Sequence, residues 1–201
     1  MNIICFGDSI TAAKDFPEGQ RYPALLQQRL DEWRPGRYHV FGRGVGGDTT
    51  TLGFDRFPAD VLTRMPGVAV LQFGFNDAVV REWTAEPRVS LQEYARKLRA
   101  FVRAVRRRGG ACVLIVNHIP GPGWTRQGDG RSYPRRVARY NAAVRAVAAQ
   151  TGAHLADLPA LLKQRRVDPQ VFLKDCVHLS AEGNKIYAAL VFERLREVLD
   201  G

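Results

Sequence analysis

The sequence predicts a layered α/β/α fold with a mostly parallel, five-stranded sheet. Five short apolar segments are predicted as strands, over residues 2–6, 38–41, 68–73, 111–116 and 153–158. Stretches with helical periodicity or helix-capping residues separate them, and strands that alternate with helices are typical of a parallel sheet, because each parallel connection needs a crossover. The 201 residues, of which 45% are hydrophobic, fit one domain over 1–201 with a substantial core.

The first half of the chain alternates predicted strands with helices. Apolar residues recur at helical spacing over 22–33, and a Pro-Gly pair ends that helix. The second strand runs into a glycine-rich segment over 42–47. Asp48 or Thr49 can cap the short helix that follows, and another helical stretch is predicted over 58–65.

The second half contains the strand with the most continuous apolar run, residues 68–73, which is typical of a central parallel strand. Ser90 and Glu93 form a capping box that begins a long helix ending at residue 108. The remaining predictions are a long loop over 117–134, a helix over 135–150, one short helix and a loop within 159–176, and a final helix over 181–199 capped by Ser180.

The composition is strongly basic, with a net charge of +10 from 30 Lys and Arg against 20 Asp and Glu. Such a balance can favour nucleic acid or anionic lipid. The arginines, however, are spread along predicted helices and no nucleic-acid-binding motif accompanies them. The sequence therefore favours solvated helix faces and argues against nucleic acid as a partner.

The cysteines and the apolar runs argue against metal-binding, redox-active and membrane-spanning proteins. Cys5, Cys112 and Cys176 lack metal or redox spacing, so neither a metal nor another cofactor is predicted. No apolar run approaches the roughly 20 residues that span a bilayer, and the N-terminal segment is typical of a strand rather than a signal peptide. We expect a cytoplasmic protein, and the oligomeric state stays open.

Ser9 is the candidate nucleophile among the four serines. Ser90 and Ser180 precede predicted helices, and Ser132 has no histidine close to it in sequence. Ser9 follows a strand through a glycine turn, an arrangement that presents a hydroxyl at the edge of a sheet. A serine at this position can also be a helix N-cap.

A serine nucleophile needs a base, and His178 is the candidate for that role. Asp175 precedes it by three residues and can orient one ring nitrogen. His39 and His154 lie in predicted strands and fit structural roles, while His118 stays open. A plain surface turn is the alternative interpretation of the segment that contains Asp175 and His178.

Donors for an oxyanion follow other predicted strands. Gly47, after Gly46, can expose its backbone N–H beside a helix N-terminus, and Asn76 carries a side-chain amide after the central strand. The N–H of Ser9 would be a third donor. Because all three follow strands of a parallel sheet, we expect them at one edge, although a plain turn and a plain cap remain alternatives.

Together these segments resemble the four sequence blocks of the SGNH hydrolases, also called GDSL esterases/lipases. The blocks are Gly7-Asp8-Ser9, Gly47, Gly74-Phe75-Asn76-Asp77 and Asp175-x-x-His178, in the family's order. The resemblance implies a flavodoxin-like three-layer fold, with Ser9 as nucleophile, His178 as base and Asp175 as orienting acid. It also implies an oxyanion hole of Ser9 N–H, Gly47 N–H and Asn76, with Asp8 in a supporting role.

Two positions depart from the family's pattern. Gly42 stands where the second block often has asparagine, and Cys176 stands where the last block often has glycine or an aliphatic residue. The first departure bears on the rigidity of the loop before Gly47. The second is expected to be a neutral substitution.

The resemblance predicts a serine ester hydrolase that cleaves small soluble carboxylic esters through an acyl-enzyme. A carbohydrate O-deacetylase is the alternative enzyme, and a basic flavodoxin-like module that binds nucleic acid or anionic lipid is the non-enzymatic alternative. The candidate pocket residues are aromatic: Phe75, Trp83, Trp124 and Tyr133. The last two belong to the long loop over 117–134, which is predicted to form one wall of the pocket.

Overall fold

The computed structural model describes residues 1–121 and 127–200, and it contains one five-stranded sheet. The strands are β1 (Asn2–Gly7), β2 (His39–Gly44), β3 (Gly67–Gln72), β4 (Ala111–Val116) and β5 (His154–Asp157). Every pairing is parallel, and the strand order is β2-β1-β3-β4-β5. This is the strand order of flavodoxin-like folds, so the predicted fold class is confirmed.

Eight α-helices lie between or after the strands within the described ranges. They are α1 (Ser9–Ala12), α2 (Tyr22–Trp33), α3 (Thr50–Asp60), α4 (Leu91–Arg107), α5 (Tyr133–Thr151), α6 (Leu158–Gln164), α7 (Pro169–Phe172) and α8 (Ala181–Asp200). None of these helices is long and apolar enough to cross a membrane.

The alternation of side chains along β1 divides the helices into two layers. Cys5 and Phe6 are neighbours on a strand and therefore point to opposite faces of the sheet. The ring of Phe6 lies 6.0 Å from that of Phe101 on α4, and α4 packs between α3 and α5. On the other face, Cys5 interacts with Tyr22 of α2, whose ring lies 4.6 Å from that of Tyr187 on α8. The sheet thus lies between α2 and α8 on one side and α3, α4 and α5 on the other.

Two predicted boundaries are wrong for reasons of local capping. The side chain of Thr49 accepts the N–H of Leu52, so α3 starts there and runs through Pro58, which keeps a helical φ and gives up one hydrogen bond. The separate helix over 58–65 does not form, and only a 3₁₀ turn follows α3. The fifth strand ends before Leu158, because the carboxylate of Asp157 accepts the N–H of Ala160 and begins α6.

Glycine at position 44 lets the short helix α1 approach β2. A Cβ atom at Gly44 would lie 2.1 Å from the backbone nitrogen of Ala12, which is a severe clash with α1. A Cβ atom at Gly42 on the same strand would have Pro23 as its nearest neighbour, at 3.5 Å, an ordinary contact. The position that departs from the family's pattern therefore has room for a side chain.

We expect Gly44→Ala to lower the free energy of unfolding by about 2 kcal/mol or more, because the added methyl group overpacks a backbone contact. Gly42→Ala is the matched control and should change it by less than about 0.5 kcal/mol. Urea denaturation followed by circular dichroism measures both. Equal losses for the two variants would contradict the close approach of α1 to β2.

Candidate active site

Ser9 lies at the point where β1 passes directly into α1. A Cβ atom at Gly7 would lie 2.5 Å from the carbonyl oxygen of Gln72, so only glycine fits between the two strands. The side chain of Asp8 caps α1 by accepting the N–H of Ile10 at 2.9 Å. Asp8 therefore takes the capping role, and Ser9, at the first helical position, keeps a half-buried hydroxyl free for other contacts.

The hydroxyl of Ser9 is joined to His178 and Asp175 by consecutive hydrogen bonds. The Oγ atom of Ser9 lies 3.0 Å from Nε2 of His178, and Nδ1 of His178 lies 2.9 Å from Oδ2 of Asp175. An ionised carboxylate only accepts hydrogen bonds, so Nδ1 carries the proton and Nε2 accepts from the serine hydroxyl. Nε2 is thus the nitrogen that can take the proton of Ser9.

The turn that contains Asp175 and His178 is held by its own hydrogen bonds. Oδ1 of Asp175 accepts the N–H groups of Val177 and His178, at 2.8 and 2.7 Å, and the N–H of Lys174 donates to the carbonyl of His178 at 3.0 Å. Partial burial raises the pKa of Asp175, but these two N–H groups and the ring of His178 outweigh it and lower the pKa below its ordinary value. Asp175 therefore stays ionised beside the imidazole.

His118, whose role the sequence left open, supports this turn from the end of β4. It is buried, and its Nε2–H donates to the carbonyl of Val177 at 2.7 Å. Burial lowers the pKa of His118 to about 4, so the ring is neutral at physiological pH. The N–H of Gly121 donates to the carbonyl of Cys176 at 2.8 Å. The chain after β4 therefore fixes the two residues that precede His178.

Three hydrogen-bond donors follow β1, β2 and β3 at the edge of the sheet that carries Ser9. Gly47 has a φ of +79° and is exposed, and Asn76 follows β3. The Asn76 amide donates one hydrogen bond to the carbonyl of Asp48, at 3.0 Å, which ties it to the Gly47 loop and leaves its second N–H free. The N–H groups of Ser9 and Gly47 have no acceptor within residues 1–121 and 127–200. The predicted donors thus belong to one edge of the sheet.

Arg56 of α3, which the sequence analysis did not single out, holds this edge together. Its guanidinium donates to the carbonyls of Gly7 and Arg43, each at 2.9 Å, and to the carboxylate of Asp48 at 2.7 Å. These partners lie at the ends of β1 and β2 and next to Gly47. One side chain therefore sets the spacing between the segment that carries Ser9 and the loop that carries Gly47.

The family assignment rests on a comparison over nearly the whole chain. Residues 5–186 match the GDSL-like lipase/acylhydrolase family. The chain belongs to this family. The esterase TesA of Pseudomonas aeruginosa is 32% identical over 149 residues, which cover 74% of this chain and 65% of that protein. A Bacillus subtilis protein that carries the name uncharacterized lipoprotein YqeF is 30% identical over 147 residues, or 71% of this chain and 56% of that protein.

Among solved structures, the acetyl xylan esterase AlAXEase superposes with a TM-score of 0.78 at 23% identity, over 96% of this chain and 98% of that one. This likeness shows the shared fold. The chain spans less than two thirds of the length of its sequence relatives TesA and YqeF. Family membership is therefore established for the domain, and its activity is taken up below as a proposal.

The predicted pocket residues separate into buried and exposed ones, and two of them require correction. Tyr133 is fully buried, and its hydroxyl donates to the carbonyl of Phe75 at 2.9 Å. Phe75 is also buried and packs against His118. Both residues therefore stabilise the core beneath the site and do not line an open pocket. Trp83 is exposed beside a cleft, and Trp124 lies outside the described residues.

Two buried carboxylates lie beneath the donors. Burial raises the pKa of Asp8 to about 7 and that of Asp77 to about 6, although each carboxylate accepts backbone hydrogen bonds. Asp77 accepts both the N–H and the hydroxyl of Thr50. One oxygen of each carboxylate has no partner within the described residues. Negative charge at this position is therefore unfavourable, and a neutral Asp8 is favoured over much of the acidic range.

We expect Asp8→Asn to gain stability relative to wild type as the pH rises from about 4 to about 7. Below the unfolded-state pKa of 3.8 both states hold the proton, and as the pH rises towards 7 only the folded state retains it. The stability that this proton contributes is present at low pH and is lost as the pH rises through the folded-state value, by a few kcal/mol. The amide oxygen of asparagine still accepts the N–H of Ile10.

Urea denaturation at about pH 4.5 and about pH 8 measures this difference. Asp55→Asn on the exposed face of α3 is the control and should show no comparable change with pH. A difference between Asp8→Asn and wild type that is the same at both pH values would contradict the raised pKa of Asp8.

Proposed function

We propose that this chain hydrolyses small soluble carboxylic esters through an acyl-enzyme on Ser9. The observation that carries the proposal is the unbroken path of hydrogen bonds from Ser9 through His178 to Asp175. Membership of the GDSL-like lipase/acylhydrolase family supports it, as do relatives that carry the name esterase, such as TesA. The predicted cytoplasmic location stays a prediction.

In the first step Nε2 of His178 takes the hydroxyl proton of Ser9 while Oγ attacks the ester carbonyl carbon. Asp175 stabilises the imidazolium that results, since its carboxylate already accepts the Nδ1 proton at 2.9 Å. The developing oxyanion is stabilised by the N–H groups of Ser9 and Gly47 and by the free amide N–H of Asn76. Collapse of this intermediate expels the alcohol, which takes its proton from Nε2.

Water completes the reaction by the same route. His178 removes a proton from the water molecule that attacks the acyl group on Ser9, and it returns that proton to Oγ when the acid leaves. The donors keep their positions in both halves of the cycle, because Asn76 is bonded to the Asp48 carbonyl and Arg56 holds Asp48. Catalysis then requires no reorganisation of these groups as charge develops.

The structure supports the two alternative functions, a carbohydrate O-deacetylase and a non-enzymatic binding module, to different degrees. A carbohydrate O-deacetylase is favoured by Trp83, which is 75% exposed beside the donor loop, because an exposed indole can stack on a sugar ring. AlAXEase, which shares the fold, is named an acetyl xylan esterase. A non-enzymatic binding module would leave the hydrogen-bonded Ser9, His178 and Asp175 without a role, so we do not favour it.

We expect Ser9→Ala to lose esterase activity by a factor on the order of 10⁴ or more, because no other hydroxyl within residues 1–121 and 127–200 is hydrogen-bonded to His178. Hydrolysis of 4-nitrophenyl esters from acetate to dodecanoate, at about pH 8, measures the loss and the preferred chain length. Acetylated sugars assayed in parallel test the deacetylase alternative.

Ser90→Ala is the matched control for this substitution. Ser90 caps α4 by accepting the N–H of Glu93 at 3.2 Å, so its loss should lower stability by about 1 kcal/mol and leave activity near that of wild type. Equal rates for wild type and Ser9→Ala would refute the proposed mechanism.

Asn76→Ala is expected to lower kcat by about 10²- to 10³-fold with a smaller effect on KM, because the amide acts on the oxyanion rather than on the bound ester. Circular dichroism and Tm measurements check that the Gly47 loop survives the loss of the bond to Asp48. An increase in KM with an unchanged kcat would argue against an oxyanion role for Asn76.

A further inference from the structure

A cleft of about 590 Å³ adjoins the donor loop and is not used by the mechanism described above. Thr49, which forms part of its wall, lies two residues after Gly47 and caps α3. The next residue, Thr50, donates two hydrogen bonds to Asp77, which neighbours Asn76. The wall of the cleft is therefore linked through Thr49 to the loop that carries Gly47, and through Thr50 and Asp77 to the segment that carries Asn76.

Two arginines line this cleft without a neutralising partner. Neither Arg81 nor Arg88 has a carboxylate within 4.0 Å in the part of the chain that the structure describes. Glu86, which also lines the cleft, makes no ion pair with either. Two guanidinium groups thus present unpaired hydrogen-bond donors to the same cleft.

Arg88 differs from the solvated arginines on the helix faces because it is partly buried. This burial, and then the positive charge of Arg81, lower the pKa of Arg88, and the charges of Asp77 and Asp48 offset the effect only in part. A partly desolvated cation next to a second cation is unfavourable in the free protein. An anion in the cleft would relieve this repulsion and replace water that Arg88 has lost.

The remainder of the cleft presents apolar surface. Trp83 is 75% exposed and Leu52 is 47% exposed, and the guanidinium carbon of Arg81 lies 5.6 Å from the centre of the Trp83 ring. Exposed tryptophan beside arginine is typical of binding surfaces for ligands that combine an apolar body with a charged group. Neither feature contributes to the packed core.

We propose that the cleft binds an anionic group, a carboxylate or a phosphate, that the ester substrate carries apart from its scissile bond. Arg81 and Arg88 hold the anion through charge-assisted hydrogen bonds, and Trp83 and Leu52 contact the apolar part of the same molecule. The inference rests on the proposed ester hydrolysis and assigns that activity a substrate class. Esters with such a group are hydrolysed faster than neutral esters of the same shape.

Matched esters test the proposal on either side of the scissile bond. On the alcohol side, 4-acetoxybenzoate and 4-acetoxyphenyl phosphate are compared with neutral 4-acetoxybenzamide, and this set also separates carboxylate from phosphate. On the acyl side, mono-4-nitrophenyl adipate is compared with 4-nitrophenyl hexanoate. In wild type we expect kcat/KM to be about five- to tenfold higher for the anionic member of at least one set.

Arg88→Gln and Arg81→Gln are expected to bring this anionic-to-neutral ratio close to one. The second variant keeps the test valid if loss of the partly buried Arg88 disturbs folding. Arg103→Gln, on the exposed face of α4, is the matched control and should keep the wild-type ratio. The anionic-to-neutral ratio of wild type should also decrease when the NaCl concentration is raised from about 0.02 M to about 0.5 M, because salt screens a partly exposed cation.

The outcomes separate this inference from the proposed function. Equal kcat/KM values for anionic and neutral esters in wild type overturn the anionic subsite and leave ester hydrolysis standing. If no ester is hydrolysed, the proposed function fails, and calorimetric titration of 4-acetoxybenzoate into Ser9→Ala tests the cleft alone. Binding that Arg88→Gln abolishes supports the subsite, and absence of binding overturns it.

Discussion

The geometry of the site depends on one guanidinium, that of Arg56. It donates to the strand-end carbonyls of Gly7 and Arg43 and pairs with Asp48 and Asp60, while its carbon lies 4.2 Å from the centre of the Phe6 ring. Carbonyl groups at the ends of strands lack partners within the sheet, so a single planar donor can bind several at once. The distance between the end of β1, where Ser9 begins α1, and the loop that carries Gly47 follows from this clamp.

The polar groups on the two sides of Arg56 differ in their effect on negative charge. On the accessible side, N–H groups and an amide are left with free hydrogens, which favours negative charge that develops during a reaction. On the inner side, Asp8 and Asp77 carry oxygens without partners and pKa values raised by burial. Neutral carboxylic acids at these positions would not oppose an oxyanion in front of them, whereas ionised ones would. Burial therefore reduces this opposing charge below about pH 6, and at about pH 8 both carboxylates are mostly ionised.

The fold was predictable from the sequence, as was the grouping of the candidate residues at one edge of the sheet, because both depend on local patterns. Apolar runs predicted all five strands, and their alternation with helices predicted parallel pairing. The residues that follow β1 and β3 were therefore expected at one edge of the sheet, together with the turn that contains Asp175 and His178. Arg56 and His118 could not be assigned in this way. Their partners lie 49 and 59 residues away in sequence, and no local pattern distinguishes these side chains from solvated or loop residues. The pocket predictions for Tyr133 and Phe75 were wrong for a similar reason. Tyr133 is the first residue of α5 and does not belong to a loop, and long-range packing buries both side chains in the core.

The contacts that arrange Asp175 and His178 relative to each other are local in sequence, and those that place them beside Ser9 are not. The arrangement of Asp175 and His178 is fixed by hydrogen bonds that begin and end within seven residues, together with the short bridge between Leu173 and Leu179. The distance from His178 to Ser9 instead spans 169 positions of the chain and depends on contacts such as that between His118 and Val177. A change in packing elsewhere in the fold is therefore expected to alter the distance between Ser9 and His178 before it alters the arrangement of Asp175 and His178.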